Sequence, residues 1–180
     1  MNLALIDLKY VITIYSKLSL KQKKKITIFL KNNFNKNISN KLSKNIFDFE
    51  PATIIILSLI ENNIIGCICL FDNKHLLEKI NQYDVPQNYY VFTDNNNGCF
   101  IYNLCVDKDY RNNKIGYKMI EYAIEQTIKL KIDYLHTHAE NEIARKIFIN
   151  NGFLEINSFI NSDNAKIYVM SKYLETNNLI

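Results

Sequence analysis

Residues 106–119 read VDKDYRNNKIGYKM: an apolar strand end, a charged turn containing two asparagines, then Gly116 and the start of a helix. A strand that runs through a tight turn straight into a helix leaves the first helical N–H groups unpaired and pointing outward, and the helix dipole adds partial positive charge there. Such a turn can hold a phosphate. A glycine in the first helical turn lets a bulky anion come close to the backbone, and Arg111 and Lys114 add charge. On local chemistry alone the competing explanation is close packing of strand against helix, and no G-x-x-x-x-G-K-[ST] loop is present. A second chemical group lies on DYLHTHA, where His136 and His138 are two apart and share one strand face. Imidazole titrates near neutral pH, so either could take a proton, although a lone strand histidine is more often structural. His138, nearer the strand end, is the candidate base, with a water chain ordered by Asn103 as the alternative.

The elements that must position these groups follow from periodicity. CFIYNLCV reads as a strand, and Ile115 to Lys131 puts Met119, Ile120, Ala123, Ile124 and Ile128 on one helical stripe opposite Lys118, Glu121, Glu125 and Lys129. After DYLHTHA, Asn141 is a helix N-cap, Ile143, Ala144, Ile147 and Phe148 form the buried face, and Gly152 ends the helix. Strands follow around Phe153 to Phe159 and Ala165 to Tyr173. In the first half, KYVITIYSKL reads as a strand; Ser19 caps a helix whose buried face is Leu20, Ile26, Phe29 and Leu30. A short helical piece is expected within residues 31–49, then a hairpin from Thr53–Ile60 and Ile64–Phe71 across ENN. Residues 72–98 hold a short helix around Leu76 to Ile80 and a long connection whose Tyr83, Tyr89 and Tyr90 either cover a substrate or pin a surface loop.

Composition sets the bounds. With 180 residues and 48% apolar side chains the chain can bury one core, and a single domain over 1–180 is expected. The net charge of +4 permits an anionic ligand, but the lysines are scattered through an Ile-, Asn- and Lys-rich sequence, so coding bias explains them and no nucleic-acid partner is expected. Cys67, Cys69, Cys99 and Cys105 lack zinc-ligand spacing with a histidine pair, so no metal is expected and the thiols are read as reduced and half-buried. Asp7 interrupts the N-terminal apolar run and no cleavage pattern follows it. The longest apolar block, TIIILSLI, is too short for a bilayer, so a cytoplasmic, soluble protein with no membrane partner is expected.

The segment IYNLCVDKDYRNNKIGYKMIEYAI resembles the acyl-CoA-binding motif of the GNAT superfamily of N-acetyltransferases, whose loop reads R/Q-x-x-G-x-G/A after a strand ending in Val. NEIARKIFINNGF resembles that family's second motif, and NNIIGCICLF, with Gly66, its early strands; good matches cover about 53–71 and 99–156. The resemblance implies an α+β fold: a mixed, mainly antiparallel sheet of six to seven strands with helices packed on both faces. It also implies acetyl-CoA as co-substrate and direct attack of a neutral amine on its thioester.

Carried over residue by residue, Arg111 matches the loop's leading Arg, Gly116 its last small residue, Asn141 the second motif's Asn, and Gly152 with Phe153 the closing pair. The cofactor would then meet Leu104, Cys105 and Val106, where the family has a strand bulge. It would also meet Arg111, Asn112, Asn113, Lys114, Ile115, Gly116 and Tyr117 in the turn, with Asn141 and Phe148 beyond. Tyr102 sits at a position some members use for the base, beside Asn103. Two positions depart. Lys114 replaces the middle Gly and is expected in a helical conformation; Phe148 replaces a Tyr proposed to protonate the leaving thiolate. A thiol with a pKa of about 8.5 needs little help to leave, so catalysis can survive Phe148. The acceptor is expected to be a small-molecule amine rather than a strongly basic tail, with a homodimer possible. The alternative is a catalytically silent acyl-CoA sensor or assembly module.

Overall fold

β-Branched and aromatic runs form strands, and amphipathic runs form helices, over the residues that the structure, a computed structural model, describes: 8–33, 53–82, 90–93, 97–161 and 164–174. The elements are β1 Lys9–Ile14, α1 Leu20–Asn33, β2 Ile54–Ile60, β3 Asn63–Asp72 and α2 Asn73–Gln82. Then come β4 Gly98–Val106, α3 Ile115–Lys129, β5 Tyr134–Ala139, α4 Glu142–Asn150, β6 Leu154–Ile160 and β7 Lys166–Tyr173. Tyr83, Tyr89, the N-terminal run before Leu8 and, past Asn33, the helical piece expected within 31–49 lie outside the described residues.

The strands make one seven-stranded sheet in the order β1-β2-β3-β4-β5-β7-β6. The pairs β1–β2, β5–β7 and β6–β7 are antiparallel. Only a crossover can join parallel neighbours, and α3 supplies it between β4 and β5, which pair in parallel from Gly98↔Tyr134 to Ile101↔Thr137. This is the mixed, mainly antiparallel α+β sheet that the sequence leads one to expect.

By compactness the chain divides into two units. The first holds the described residues up to Cys69 together with Asn103–Met119. Its core includes Ile26, Leu30, Ile55, Ile56, Ile68, Ile115 and Met119, all fully buried, and each such side chain contributes about 1.5–3 kcal/mol by leaving water. A capping box starts α1: Ser19 Oγ accepts from Gln22 N at 3.3 Å while Gln22 Oε1 accepts from Ser19 N at 2.9 Å. Leu20, expected on the buried face, is 86% exposed, because at about 100° per residue it points about 120° away from the centre of the stripe formed by Ile26, Phe29 and Leu30. The β2–β3 hairpin turns on Glu61 and Asn62, both left-handed at φ 48° and 65°, as a two-residue type I′ turn requires.

The second unit holds the described residues of Leu70–Tyr102 and those from Ile120 onward. α2 is longer than the piece expected around Leu76 to Ile80, and Asp72 Oδ1 caps it by accepting from His75 N at 2.9 Å. Asn141 Oδ1 caps α4 by accepting from Ala144 N at 2.9 Å, and Gly152, at φ 79°, closes it with N–H donated to Ile149 O at 2.8 Å. Ile143, expected on the buried face of α4, is 75% exposed, because five residues before Phe148 it points about 140° away from it around the helix, and only Phe148 of that face is fully covered.

Candidate active site

In the first unit the candidate residues form one continuous strand, turn and helix. β4 loses its regular pleat at Asn103, which is left-handed at φ 54° immediately before Leu104. Cys105 is buried, and burial pushes its thiol well above the ordinary range, so it stays neutral and is no nucleophile. Beyond Val106 the backbone is tied down: Asp107 N donates to Ile65 O at 2.8 Å and Asp107 Oδ1 accepts from Asp109 N at 3.0 Å. Arg111 donates from Nε to Val106 O at 3.0 Å and from Nη2 to Asn33 O at 3.3 Å, so its guanidinium braces the turn against the end of α1. Asn113 Nδ2 donates to the carbonyls of Tyr110 and Arg111 at 3.2 and 3.1 Å.

Asn112 and Lys114 are both left-handed, at φ 65° and 58°. Lys114, expected to be helical, therefore occupies the conformation that suits the glycine usual there, at a cost of roughly 1–2 kcal/mol for a residue with a Cβ. Lys114 O accepts from Lys118 N at 3.0 Å, so the amides of Ile115, Gly116 and Tyr117 lie ahead of that bond, where a helix has no carbonyl of its own to offer. A Cβ built on Gly116 would meet only Val106 Cγ2 at 3.7 Å, an ordinary contact. Close packing does not explain this glycine, and the space beside its Cα is open.

The second unit carries the histidines. His136 is fully buried and both ring nitrogens are engaged: Nε2 donates to Asn73 Oδ1 at 2.6 Å and Nδ1 accepts from Val91 N at 3.3 Å. That arrangement assigns the proton to Nε2. Burial, with His138 adding repulsion, pulls the His136 pKa down to about 3, so it is neutral in use and structural in role. Asn73 Nδ2 also donates to Tyr134 Oη at 2.5 Å and to Val91 O at 3.3 Å. Tyr134 Oη in turn accepts from Thr93 N at 3.1 Å and donates to Val91 O at 3.1 Å. Gly98 makes room for this tyrosine, since a Cβ there would stand only 2.4–2.7 Å from three atoms of the Tyr134 ring.

His138 is half-buried among aromatic rings, with centroids at 4.8 Å to Tyr90, 5.1 Å to Phe100 and 5.4 Å to Phe159. Tyr102 stacks on Phe100 at 6.4 Å and meets Phe71 edge-on at 6.0 Å. Tyr102 and His138 thus both rest against Phe100. Phe148, expected against the cofactor, is 2% exposed and packs edge-on to Phe153 at 5.1 Å; its ring is core and in this conformation offers no surface to a ligand. The side chain of Asn141 is engaged in capping α4. Asn73, Val91 and Phe159 were not singled out by sequence reasoning, and no spacing rule would have paired Asn73 with a histidine 63 residues away. Among the described residues no helix is long and apolar enough to cross a membrane, and no group of three or more His, Cys, Asp or Glu could hold a metal ion.

The model of the acetyltransferase (GNAT) family matches residues 25–153, which include the turn, both histidines and α4. An acyl-CoA N-acyltransferase from Pseudomonas aeruginosa is similar in structure with a TM-score of 0.70 at 12% identity, covering 92% of this chain and 99% of its own. The ribosomal-protein-S18-alanine N-acetyltransferase from Escherichia coli gives 0.64 at 13% identity, covering 96% and 99%. The NatC complex bound to Gag peptide and CoA gives 0.62 at 18% identity, covering 92% and 99%. At such identities the likeness is one of fold. A comparison with curated proteins gives no match. With the family's pattern running through most of its length, this chain belongs to the GNAT family of acetyltransferases.

Proposed function

We propose that the protein transfers an acetyl group from acetyl-CoA to the primary amine of a small molecule by direct attack. The observation that carries this reading is Gly116: its missing Cβ serves no packing need, and it stands at a helix start whose leading amides face a charged turn. In this reading the amides of Ile115, Gly116 and Tyr117 take the phosphates, with Lys114 adding charge. Arg111, Asn112 and Asn113 hold the turn in shape. Acetyl-CoA supplies a thioester, whose acyl carbon is open to amines and whose thiolate leaves without a strong acid. The amides of Leu104, Cys105 and Val106, past the break at Asn103, donate to the carbonyl oxygen as negative charge builds on it.

His138 removes the proton from the incoming ammonium, since Tyr102 and Asn103 are poor bases at pH 7 and His136 is locked neutral. A +4 chain favours acceptors that are not themselves strongly basic polymers. The test is release of free thiol from acetyl-CoA over a panel of small primary amines; the four cysteines are buried and add little background. Amine-dependent release that disappears in Gly116→Glu is expected, and no release with any amine would contradict it. A second reading, a catalytically silent acyl-CoA sensor, is favoured by one observation, the sealed ring of Phe148 where a general acid would stand. Stabilisation by acetyl-CoA without amine-dependent turnover would select it.

A further inference from the structure

Residues 90–93 lie against β5 through a set of part-buried hydrogen bonds, backed by the buried bonds of Asn73 to His136 and Tyr134, in which every donor meets an acceptor. Val91 is held at both ends, its N–H on His136 Nδ1 and its carbonyl on Asn73 Nδ2 and Tyr134 Oη; Thr93 N donates to the same tyrosine. Apolar side chains would have covered the sheet as well. A matched polar network does something apolar cover cannot: it admits one register of the segment and rejects its neighbours. The residue placed by that register is Tyr90, whose ring lies 4.8 Å from His138 at 40° and 5.3 Å from Phe100 at 68°. Tyr90, Phe100, Tyr102, His138 and Phe159 each keep part of their surface exposed while Tyr90, Phe100 and Tyr102 also pack against Phe71, Leu76 and Ile80, so the rings form a partly exposed rim over that core.

We infer that Asn73, His136 and Tyr134 are positioning residues that dock residues 90–93 on the sheet, and that Tyr90 is thereby a specificity-determining wall beside His138, selecting acceptor amines that carry a flat aromatic group. The inference rests on the acetyltransfer reading for the identity of the ligand as an acceptor. Ring edges and faces favour a flat apolar substituent, and the same faces attract an ammonium before its proton is lost.

The test compares 2-phenylethylamine with ethanolamine, two primary amines, as acceptors. The wild-type protein prefers 2-phenylethylamine in kcat/KM. Tyr90→Ala lowers that preference about tenfold, chiefly through KM for the aromatic amine, whereas Tyr90→Phe retains it. Asn73→Ala lowers it in the same direction while leaving KM for acetyl-CoA in place, which a general loss of structure would not do. Should Asn73→Ala not fold, the half-buried Tyr90 variants carry the test alone. Calorimetric titration of 2-phenylethylamine, without acetyl-CoA, gives a readout independent of turnover. If no amine is acetylated but the titration shows binding that weakens in Tyr90→Ala, the transfer reading fails and the aromatic site stands. No preference in the wild-type protein, a preference unchanged in Tyr90→Ala, or no binding in the titration overturns the inference.

Discussion

Between Asn103 and Gly116 three residues with side chains stand in the left-handed region, whereas between Tyr134 and Ala139 none does. The turn does its work with backbone: bent strand, left-handed Asn112 and Lys114, and amides ahead of the first bond of α3. The face of β5 keeps regular strand geometry and works with side chains, through the ring nitrogens of His136, the amide of Asn73 and the hydroxyl of Tyr134. A backbone site should tolerate changes of side-chain chemistry and respond sharply to an added Cβ substituent or an altered φ. A side-chain site should respond to single polar atoms and to pH.

The largest expected effect concerns the side-chain region. His136 has a native pKa of about 3 against an unfolded value near 6.5, so the unfolded chain binds the proton first as pH falls. Its contribution is fully present above pH 6.5 and is lost on acidification towards 3, on the order of 5 kcal/mol in all. Denaturant unfolding across that window should show the slope, and His136→Gln should lack most of it. A shared slope would mean that other groups carry the acid sensitivity.

Next in size is Gly116→Glu in the backbone region. The side chain has room at its root, so the fold stays, while a carboxylate beside the leading amides should weaken acetyl-CoA about a hundredfold. Titration calorimetry measures it, and a small change would place the phosphates elsewhere. Smaller again is Phe148→Tyr, which puts a hydroxyl into a sealed position and should cost about 1–3 kcal/mol of stability without speeding transfer. A faster variant would show that the position does open to the thiolate. The smallest effect is Lys114→Gly. Relief of the left-handed backbone should raise stability by up to about 1 kcal/mol, while loss of the charge weakens acetyl-CoA a few fold. If affinity is unchanged, backbone alone holds the anion.

The two regions also differed in how far the sequence revealed them. Strand and helix positions followed from apolar periodicity, and the turn from its Gly, Arg and Lys between a strand and a helix. Periodicity overreached at Leu20 and Ile143, because each stands well off the centre of its helix's buried stripe when counted at about 100° per residue. It could not report φ, so the left-handed state of Asn103 and Lys114 was invisible, although the absence of glycine at 114 marked where to look. The docking of residues 90–93 was beyond reach, since it joins Asn73 to His136 across 63 residues and depends on which atoms face each other. The tyrosines of the 72–98 segment pointed to that region, but only the structure singles out Tyr90.

The central claim, that the turn at 111–117 receives acyl-CoA, is tested most directly by thermal unfolding of the wild-type protein and Gly116→Glu with acetyl-CoA, free CoA and ATP. Both CoA species should raise the melting temperature of the wild-type protein, ATP should not, and Gly116→Glu should respond to none of them. An unchanged wild-type melting temperature in acetyl-CoA, or an equal rise in the glutamate variant, would contradict it.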